Sequence, residues 1–348
     1  MDTDLQTTTM KCNIMYDVKD YKEIVVFFTG GTIGMSPAEG VHGVAPGGNF
    51  EKLLNQLAPQ EEGIRLRPIS WSDKPSPHMT PNDMFRLAKE VEAALGESSV
   101  LGAVILHGTD VLAESAYMCD LVIDSDKPVI LTGSMRYYSE SGYDGIRNLI
   151  NAVRACLLPI PSGTGACVLM TDRIFTAREA VKVNSLNVDA FESREAGIVG
   201  YVAGESVILA GCPLHHSPRR KLSPKSIETD VALVTSYTGM DRSLVDHLKS
   251  TGVKGLVIEG FGAGNVPPAI VPALEECLQN GIPVVLATRC IEGGVWPIYG
   301  YEGGGADLED RGVILCGRLG GPKARVRLMC ALGLTSDMNE IRDMFEDA

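Results

Sequence analysis

Hydrophobic and polar positions follow two alternating periods along most of this chain. Short runs rich in β-branched residues, which indicate strands, are separated by longer segments with the period of an amphipathic helix. This order is typical of parallel strands joined by crossover helices. In the first 200 residues the pattern predicts strands at 23–29, 100–106, 128–132 and 166–171, and helices at 81–95, 111–123 and 144–156.

The alternation lapses after about residue 200, in a proline-rich and basic stretch at 212–225 that predicts a surface linker. It then resumes, with strands expected near 231–234, 255–259 and 283–287, and helices at 242–250, 268–279, 324–332 and 337–345. The pattern therefore predicts an α/β fold of two domains. A larger N-terminal domain has a mostly parallel sheet with flanking helices, and a smaller C-terminal domain is also α/β. We place an N-terminal extension at 1–20, the two domains at 21–205 and 229–348, and the linker at 206–228.

Length and charge narrow the possible partners. The chain has 348 residues, which suits two domains. Its 31 Lys and Arg against 44 Asp and Glu give a net charge of −13, which would repel phosphate backbones and anionic lipid surfaces. No apolar run approaches the ~20 residues of a transmembrane helix. We therefore expect neither a nucleic-acid partner nor a membrane association.

The cysteines and the N-terminus favour a cytoplasmic protein. Nine cysteines are scattered without a C-x-x-C pair, which is typical of reduced thiols rather than of a disulfide framework or a zinc site. The first 20 residues are polar and acidic and lack the features of an export signal. His215 and His216 lie in the predicted linker, away from any acidic pair. We expect no metal and no cofactor.

Glycine is the one compositional outlier, with 38 residues, and several glycines follow predicted strands. The first strand runs into T-G-G-T-I-G at 29–34, a later one into H-G-T-D at 107–110, and the next into T-G-S-M-R at 132–136. Because the carboxyl ends of parallel strands meet at one edge of a sheet, these segments should converge on one crevice. The first loop has neither spacing of a phosphate-binding motif, so a plain glycine-rich turn is its alternative interpretation.

Two threonine hydroxyls and one carboxylate at these strand ends could form a nucleophilic site that lacks a base. Thr32 and Thr109 supply the hydroxyls, and Asp110 supplies the carboxylate, although an aspartate there could simply cap a helix. His107 is one candidate base, but its apolar strand also suits a packed, hydrogen-bonded residue. Lys182 is the other, because an amine buried beside a carboxylate can accept a hydroxyl proton. An ordinary surface lysine is its alternative interpretation.

Six motifs occur in a fixed order and together strongly resemble the bacterial-type L-asparaginase and glutaminase-asparaginase family. The resemblance spans nearly the whole chain, and the combination is far more specific than any one motif. The motifs are T-G-G-T-I-G at 29–34, H-G-T-D at 107–110, G-S-M-R at 133–136, D-G-x-x-N-L at 144–149, R-x-x-x-K-x-N at 178–184 and G-F-G-A-G-N at 260–265.

The resemblance implies a catalytic role for four residues. Thr32 would be the nucleophile that forms a covalent acyl-enzyme. Thr109, Asp110 and Lys182 would form a second catalytic trio, in which the lysine activates a hydroxyl or water. The aspartate would hold both the lysine and the α-amino group of the substrate.

The resemblance also implies the residues that bind the substrate. Backbone N–H groups around Gly31 and Gly108 would meet the oxyanion, which suits a glycine-rich loop. Ser76 would hold the α-carboxylate, and Ser134 lies where a backbone carbonyl contacts the leaving amide. Asn265 would reach the active site of a neighbouring subunit. The implied assembly is therefore a homotetramer, a dimer of dimers with intersubunit active sites.

Two departures from the family pattern lie on the side that faces the substrate. Family members carry a tyrosine on the mobile loop after the nucleophile, whereas this loop has none and places Val44 or His42 there. His42 is a possible substitute. The second departure is Pro77 followed by His78, because proline offers no N–H to a carboxylate. Amide hydrolysis therefore has more support than asparagine as the substrate.

The leading hypothesis is hydrolysis of the side-chain amide of L-asparagine to L-aspartate and ammonia through a threonine acyl-enzyme. One alternative is an amidohydrolase of the same fold that acts on another small amide, a lactam or a carrier-bound amide. A second is a non-catalytic protein that binds an amino acid, which the retention of Lys182 disfavours. A nicotinamide-dependent oxidoreductase would rest only on the G-x-G-x-G at 260–264, which lacks the required final glycine.

Overall fold

The computed structural model describes residues 22–37, 40, 42–46, 50–55, 63–158, 163–210 and 221–346. This part of the chain has two halves, and each consists of one sheet with its helices. The N-terminal sheet is mostly parallel, and the C-terminal sheet is parallel. The two-domain α/β architecture predicted from the sequence is confirmed. The predicted extension at 1–20 and the middle of the predicted linker lie outside the described residues.

Eight strands form the N-terminal sheet, in the order β12-β11-β8-β7-β6-β5-β1-β4. The five neighbouring strands β7, β6, β5, β1 and β4 are parallel. The other three, β8, β11 and β12, continue the sheet in antiparallel pairs. β2 pairs with β3 and β9 with β10 as separate hairpins. The strands are β1 (Lys22–Phe28), β2 (Met35–Pro37), β3 (Val44–Pro46), β4 (Ile64–Ser70), β5 (Val100–Leu106), β6 (Val129–Thr132), β7 (Cys167–Met170), β8 (Arg173–Thr176), β9 (Ala180–Lys182), β10 (Phe191–Ser193), β11 (Gly200–Ala203) and β12 (Ser206–Leu209).

Helices cover both faces of this sheet, which explains why its central strands have runs of consecutive apolar residues rather than alternate ones. In β1, Val25 and Phe27 belong to one buried cluster, while Ile24 and Val26 belong to another that includes residues of the fourth helix. The helices are α1 (Phe50–Asn55), α2 (Pro81–Leu95), α3 (Leu112–Val122) and α4 (Gly145–Ala155).

The C-terminal sheet has four parallel strands in the order β13-β14-β15-β16. Helix α8 contacts all four strands and also α3 of the first domain, so it lies at the junction of the two halves. The elements are β13 (Val231–Thr235), β14 (Gly255–Gly260), β15 (Val284–Thr288) and β16 (Ile314–Gly320), with α5 (Ser243–Ser250), α6 (Val271–Gln279), α7 (Gly305–Asp310), α8 (Gly321–Leu332) and α9 (Met338–Asp343).

Several short elements differ from the sequence prediction. β2 to β4, β8 to β12, β16, α1 and α7 were not predicted, mostly because three to seven residues carry too little periodicity to identify an element. β12 lies inside the predicted linker, so the first sheet continues beyond the predicted domain end at residue 205. The helix expected at 268–279 begins as a 3₁₀ turn, Pro268–Ile270, before α6. Within the described ranges no helix is long and apolar enough to cross a bilayer.

Candidate active site

Three glycines allow the strand ends after β1, β5 and β6 to meet closely. Gly31 has a φ of +89°, and a Cβ added there would lie 2.3 Å from the Cα of Gly108. A Cβ on Gly108 would in turn lie 2.6 Å from the Cβ of Ser76. A Cβ on Gly133 would lie 2.3 Å from the carbonyl oxygen of His107. Because no side chain fits at these contacts, the glycine-rich motifs bring the strand ends into one crevice.

Lys182 joins the crevice from the β9–β10 hairpin. Its Nζ donates to Oγ1 of Thr109 at 2.9 Å and to Oδ1 of Asp110 at 2.8 Å. The Lys182 side chain is only 18% exposed, whereas that of Asp110 is 58% exposed. The alternative of an ordinary surface lysine does not describe this position. A hydroxyl, an amine and a carboxylate are thus in contact, as acid–base chemistry at a hydroxyl requires.

Thr32 opens a 3₁₀ turn, Thr32–Gly34, directly after β1. It is half-buried, and its hydroxyl accepts or donates no hydrogen bond within the described residues. The hydroxyl is therefore available to a ligand. His42 lies exposed between β2 and β3 with no hydrogen bond to another described residue, and Val44 is also exposed.

Ser76 contacts the second crevice segment, H-G-T-D at 107–110. It lies in the 3₁₀ turn Ser76–His78, is 4% exposed, and its Oγ accepts a hydrogen bond from the backbone N–H of Asp110 at 3.2 Å. A hydroxyl that accepts one bond keeps its own proton for another acceptor, such as a carboxylate. Pro77 and His78 are exposed beside it.

The loop that contains Ser134 is held by the first turn of α4. Both oxygens of Asp144 accept backbone N–H groups of the loop, from Met135 and Arg136, at 3.1 Å each. Asn148, one turn further on, donates to the carbonyl oxygen of Gly133 at 3.0 Å. The D-G-x-x-N motif therefore shapes this loop, a role that sequence reasoning missed. The sequence signal for this role was the four-residue spacing between Asp144 and Asn148, which places both side chains on one face of a helix.

His107 is a structural residue rather than a base. It is completely buried, with Nδ1 donating to the carbonyl oxygen of Gly108 at 2.7 Å and Nε2 accepting from the Ser115 hydroxyl at 2.9 Å. Burial lowers the pKa of His107 to about 4. The interpretation of a packed, hydrogen-bonded histidine therefore describes this residue.

Asn265 follows β14 in the C-terminal domain, and no described contact joins it to the crevice of its own chain. Its backbone pairs with Phe261, and its Nδ2 donates to the carbonyl oxygen of Phe261 at 3.4 Å. Its buried Oδ1 has no hydrogen-bond partner within the described ranges. A buried acceptor without a donor is energetically costly.

A cavity of about 180 Å³ lies beside Lys182 and Asp110, at the junction of the two domains. Glu114 and Lys323 are among its lining residues. The Nζ of Lys323, on α8, donates to the carbonyl oxygens of Arg178 at 2.7 Å and Ala180 at 2.5 Å. Burial lowers the pKa of Lys323 to about 7 and raises the pKa of Glu114. Sequence reasoning missed both residues.

Metal-ligating side chains do not cluster in the described part of the chain, where no three His, Cys, Asp or Glu residues lie close enough to hold an ion. The seven described cysteines form no disulfide with one another, and Cys290 alone among them is exposed.

Comparison with known proteins agrees with this geometry. The family of asparaginase N-terminal domains matches residues 23–213, and that of glutaminase/asparaginase C-terminal domains matches 230–345. A probable L-asparaginase of Deinococcus radiodurans is 34% identical over 327 residues, which cover 92% of this chain and 96% of that protein. An L-asparaginase of Bacillus licheniformis is 32% identical over 324 residues, 93% of this chain and 99% of that one.

A solved structure shares the fold over the whole of its length. The crystal structure of a probable cytoplasmic L-asparaginase from Campylobacter jejuni superposes with a TM-score of 0.81 and 31% sequence identity, covering 93% of this chain and 99% of that chain. These matches confirm the resemblance drawn from the motifs. The chain belongs to the asparaginase family.

Proposed function

We propose that this protein hydrolyses the side-chain amide of L-asparagine to L-aspartate and ammonia. The observation that carries the proposal is the contact of Lys182 with both Thr109 and Asp110, at 2.9 and 2.8 Å, in the crevice that Thr32 also enters. Relatives named L-asparaginase and glutaminase-asparaginase support the same chemistry. The protein is thus an amidohydrolase of the L-asparaginase type.

In the first half of the reaction, the Thr32 hydroxyl oxygen attacks the amide carbon. The new C–O bond forms an oxyanion, which backbone N–H groups near Gly31 and Gly108 stabilise without any side chain. The C–N bond then breaks, the threonine proton passes to the leaving nitrogen, and ammonia departs. The acyl group remains as an ester on Thr32.

In the second half, water attacks the ester carbon. Lys182 and the Thr109 hydroxyl accept a proton from the water as the C–O bond forms, and Asp110 keeps the lysine in place. The ester bond breaks, the proton returns to the Thr32 oxygen, and aspartate is released. One water is consumed for each amide that is cleaved.

A hydroxyl group and a carboxylate would bind the two charged groups of the substrate. The buried Ser76 hydroxyl would donate to the α-carboxylate, and the exposed carboxylate of Asp110 would accept from the α-amino group. The Ser134 loop, fixed by Asp144, would present a carbonyl oxygen to the amide nitrogen. This arrangement favours a small zwitterionic amide.

The test of the function compares Thr32→Ala and Lys182→Met with two controls, Thr251→Ala and Lys127→Met, which lie outside the crevice. We expect each crevice variant to lose about 10³-fold or more in ammonia release from L-asparagine, because the nucleophile of the first half or a proton acceptor of the second half is removed. The controls should keep the wild-type rate. Full activity in either crevice variant would refute the assignment.

A panel of amides decides whether asparagine is the substrate. Val44 or His42 stands where the family resemblance implies a loop tyrosine, so ammonia release should be compared for asparagine, glutamine, a longer amide and a lactam. A kcat/KM for asparagine above that of every other amide supports the proposal. A better turnover of another amide would keep the reaction and change its substrate.

The active site would be completed by a second subunit, and the protein would act in the cytoplasm as a dimer of dimers. The orphan Oδ1 of Asn265 supports this, as do exposed apolar side chains in the same domain, Ile291, Trp296, Ile298, Tyr299 and Tyr301. Inactive Thr32→Ala and Asn265→Ala chains, when co-expressed, should regain activity, because one hybrid site then has both residues intact. Hybrids without activity would contradict the shared site.

A further inference from the structure

Three successive backbone carbonyls at the turn that carries Thr32 have donors, and one donor comes from a distant side chain. The carbonyl oxygen of Gly31 accepts from the N–H of Gly34 at 3.1 Å, and that of Thr32 accepts from Met35. The next carbonyl, of the fully buried Ile33, accepts from the Tyr143 hydroxyl at 2.7 Å. Tyr143 therefore completes the hydrogen bonding of the turn.

The Tyr143 hydroxyl is held firmly in this position. Its ring packs edge-on against Tyr138, with centroids 5.5 Å apart, and a Cβ added to Gly145 would lie 2.2 Å from the hydroxyl oxygen. Burial raises the pKa of Tyr143, so the phenol keeps the proton that it donates. The glycine of the D-G-x-x-N motif thus leaves the space that the hydroxyl occupies.

A second contact joins the same two segments. The backbone N–H of Tyr138 donates to the carbonyl oxygen of Met35 at 3.0 Å, just beyond the turn. Tyr143 itself precedes Asp144, whose carboxylate holds the Ser134 loop. One connection, from β6 to α4, therefore fixes both the turn that bears the nucleophile and the loop expected to face the leaving amide.

We infer that Tyr143 is a positioning residue for the nucleophile: its hydroxyl holds the carbonyl of Ile33 and thereby orients the Thr32 hydroxyl toward the amide carbon. The inference rests on the proposed role of Thr32. No tyrosine follows the nucleophile at position 42 or 44, so the turn depends on this donor from elsewhere in the domain. Tyr143 contacts a backbone atom and takes no part in proton transfer.

The test replaces Tyr143 with Phe, which removes only the hydroxyl. Tyr137→Phe is the matched control, because it makes the same chemical change in the same connection, where the Tyr137 hydroxyl has no hydrogen bond within the described residues. Acylation and deacylation rate constants are measured by rapid quenching and intact-protein mass, which follow the acyl-enzyme per active site on whichever amide the wild type cleaves best.

We expect Tyr143→Phe to lower the acylation rate constant about tenfold, because a misplaced nucleophile loses near-attack geometry. KM for the amide should change less than twofold. The rate constant of deacylation, which Lys182 and Thr109 carry out, should fall less than that of acylation. The fraction of acyl-enzyme at steady state therefore falls. Partial unfolding cannot produce this pattern, because it removes sites without changing the ratio of the two rate constants.

Two results would overturn parts of this account separately. If Tyr143→Phe and Tyr137→Phe give the same ratio of acylation to deacylation, Tyr143 does not position the nucleophile. If Thr32→Ala remains active, the proposed function itself fails, whatever the tyrosine variants do.

Discussion

At the scale of single residues, we expect Ser76 to have two roles, which different substrates distinguish. Its oxygen accepts from the backbone N–H of Asp110, which keeps the carboxylate beside Lys182, and its proton remains free for the substrate. Since Pro77 has no N–H, this hydroxyl becomes the principal candidate donor to the α-carboxylate. The two roles predict different kinetic effects.

We expect Ser76→Ala to raise KM for L-asparagine between about 10- and 100-fold, because a hydrogen bond to a charged group contributes about 1.5–3 kcal/mol. A substrate without the α-carboxylate, 3-aminopropanamide, should show little additional loss. Ser72→Ala is the control, as its hydroxyl accepts a neighbouring backbone N–H in the same segment. If kcat/KM falls equally for both amides, Ser76 acts only through its hydrogen bond with the backbone N–H of Asp110 and does not bind the α-carboxylate.

Residues whose partners are side chains were easier to foresee than residues whose partners are backbone atoms. Thr109, Asp110 and Lys182 carry complementary hydroxyl, acid and base chemistry, so the sequence suggested their association. Tyr143 and Lys323 bond to carbonyl oxygens of residues far away in the chain. Every residue has a carbonyl, so nothing in the residue types reveals such a pairing.

At the scale of elements, α2 shows how a helix start also anchors the crevice. The Thr80 hydroxyl accepts a hydrogen bond from the backbone N–H of Asp83 at 3.1 Å. The Asp83 carboxylate accepts from the backbone N–H of Thr80 at 3.0 Å and from the Nζ of Lys74 at 2.8 Å. Although burial opposes it, these bonds lower the pKa of Asp83 to about 2. The same segment carries Ser76.

We expect Asp83→Asn to lower the free energy of unfolding by about 1 kcal/mol at pH 7, through loss of the ion pair and a weaker capping box. Because the pKa of Asp83 is lower in the folded state, its stabilisation is present above pH ~4 and disappears as the pH falls toward 2. Urea unfolding of both proteins at pH 7, 5 and 3 measures this. A difference that stays constant down to pH 3 would contradict the assignment.

Helices α2 to α4 and strands β1, β5, β6 and β7 were predicted within one residue, because their periodicity is clear, whereas α8 begins three residues before its predicted start at 324. The helix at 81–95 and the strand at 100–106 have the predicted bounds. By contrast, β9, which carries Lys182, has three residues and forms only because it pairs with β10. Its position depends on tertiary contacts, which a local pattern does not contain.

At the scale of the whole molecule, a buried lysine of the C-terminal domain contacts the segment of the N-terminal domain that carries Lys182. The Nζ of Lys323, on α8, donates to two carbonyl oxygens, one on each side of Glu179 and both near Lys182. A neutral amine has two N–H groups, enough for these two acceptors. The two domains are thus joined by a group that does not need its charge.

The burial of Lys323 predicts a distinctive effect of pH on stability. Burial lowers its pKa to about 7, against the raising effects of Glu114, Glu179 and Asp120 and with the further lowering effect of Arg194. Between pH 7 and about 10.5 the unfolded chain binds the extra proton, so the free energy of unfolding rises with pH. The rise from pH 7 to 9 should be on the order of 2 kcal/mol.

We expect Lys323→Met to abolish this rise, because methionine does not titrate, and to destabilise the protein by about 1–3 kcal/mol for each carbonyl left without a donor. Lys127→Met is the matched control: Lys127 also donates to two carbonyl oxygens, of Leu95 and Glu97, but from a half-buried position. Urea unfolding at pH 7, 8 and 9, at one protein concentration, gives the comparison. A rise that persists in Lys323→Met must come from other groups, and Lys323 would then remain charged at the domain junction.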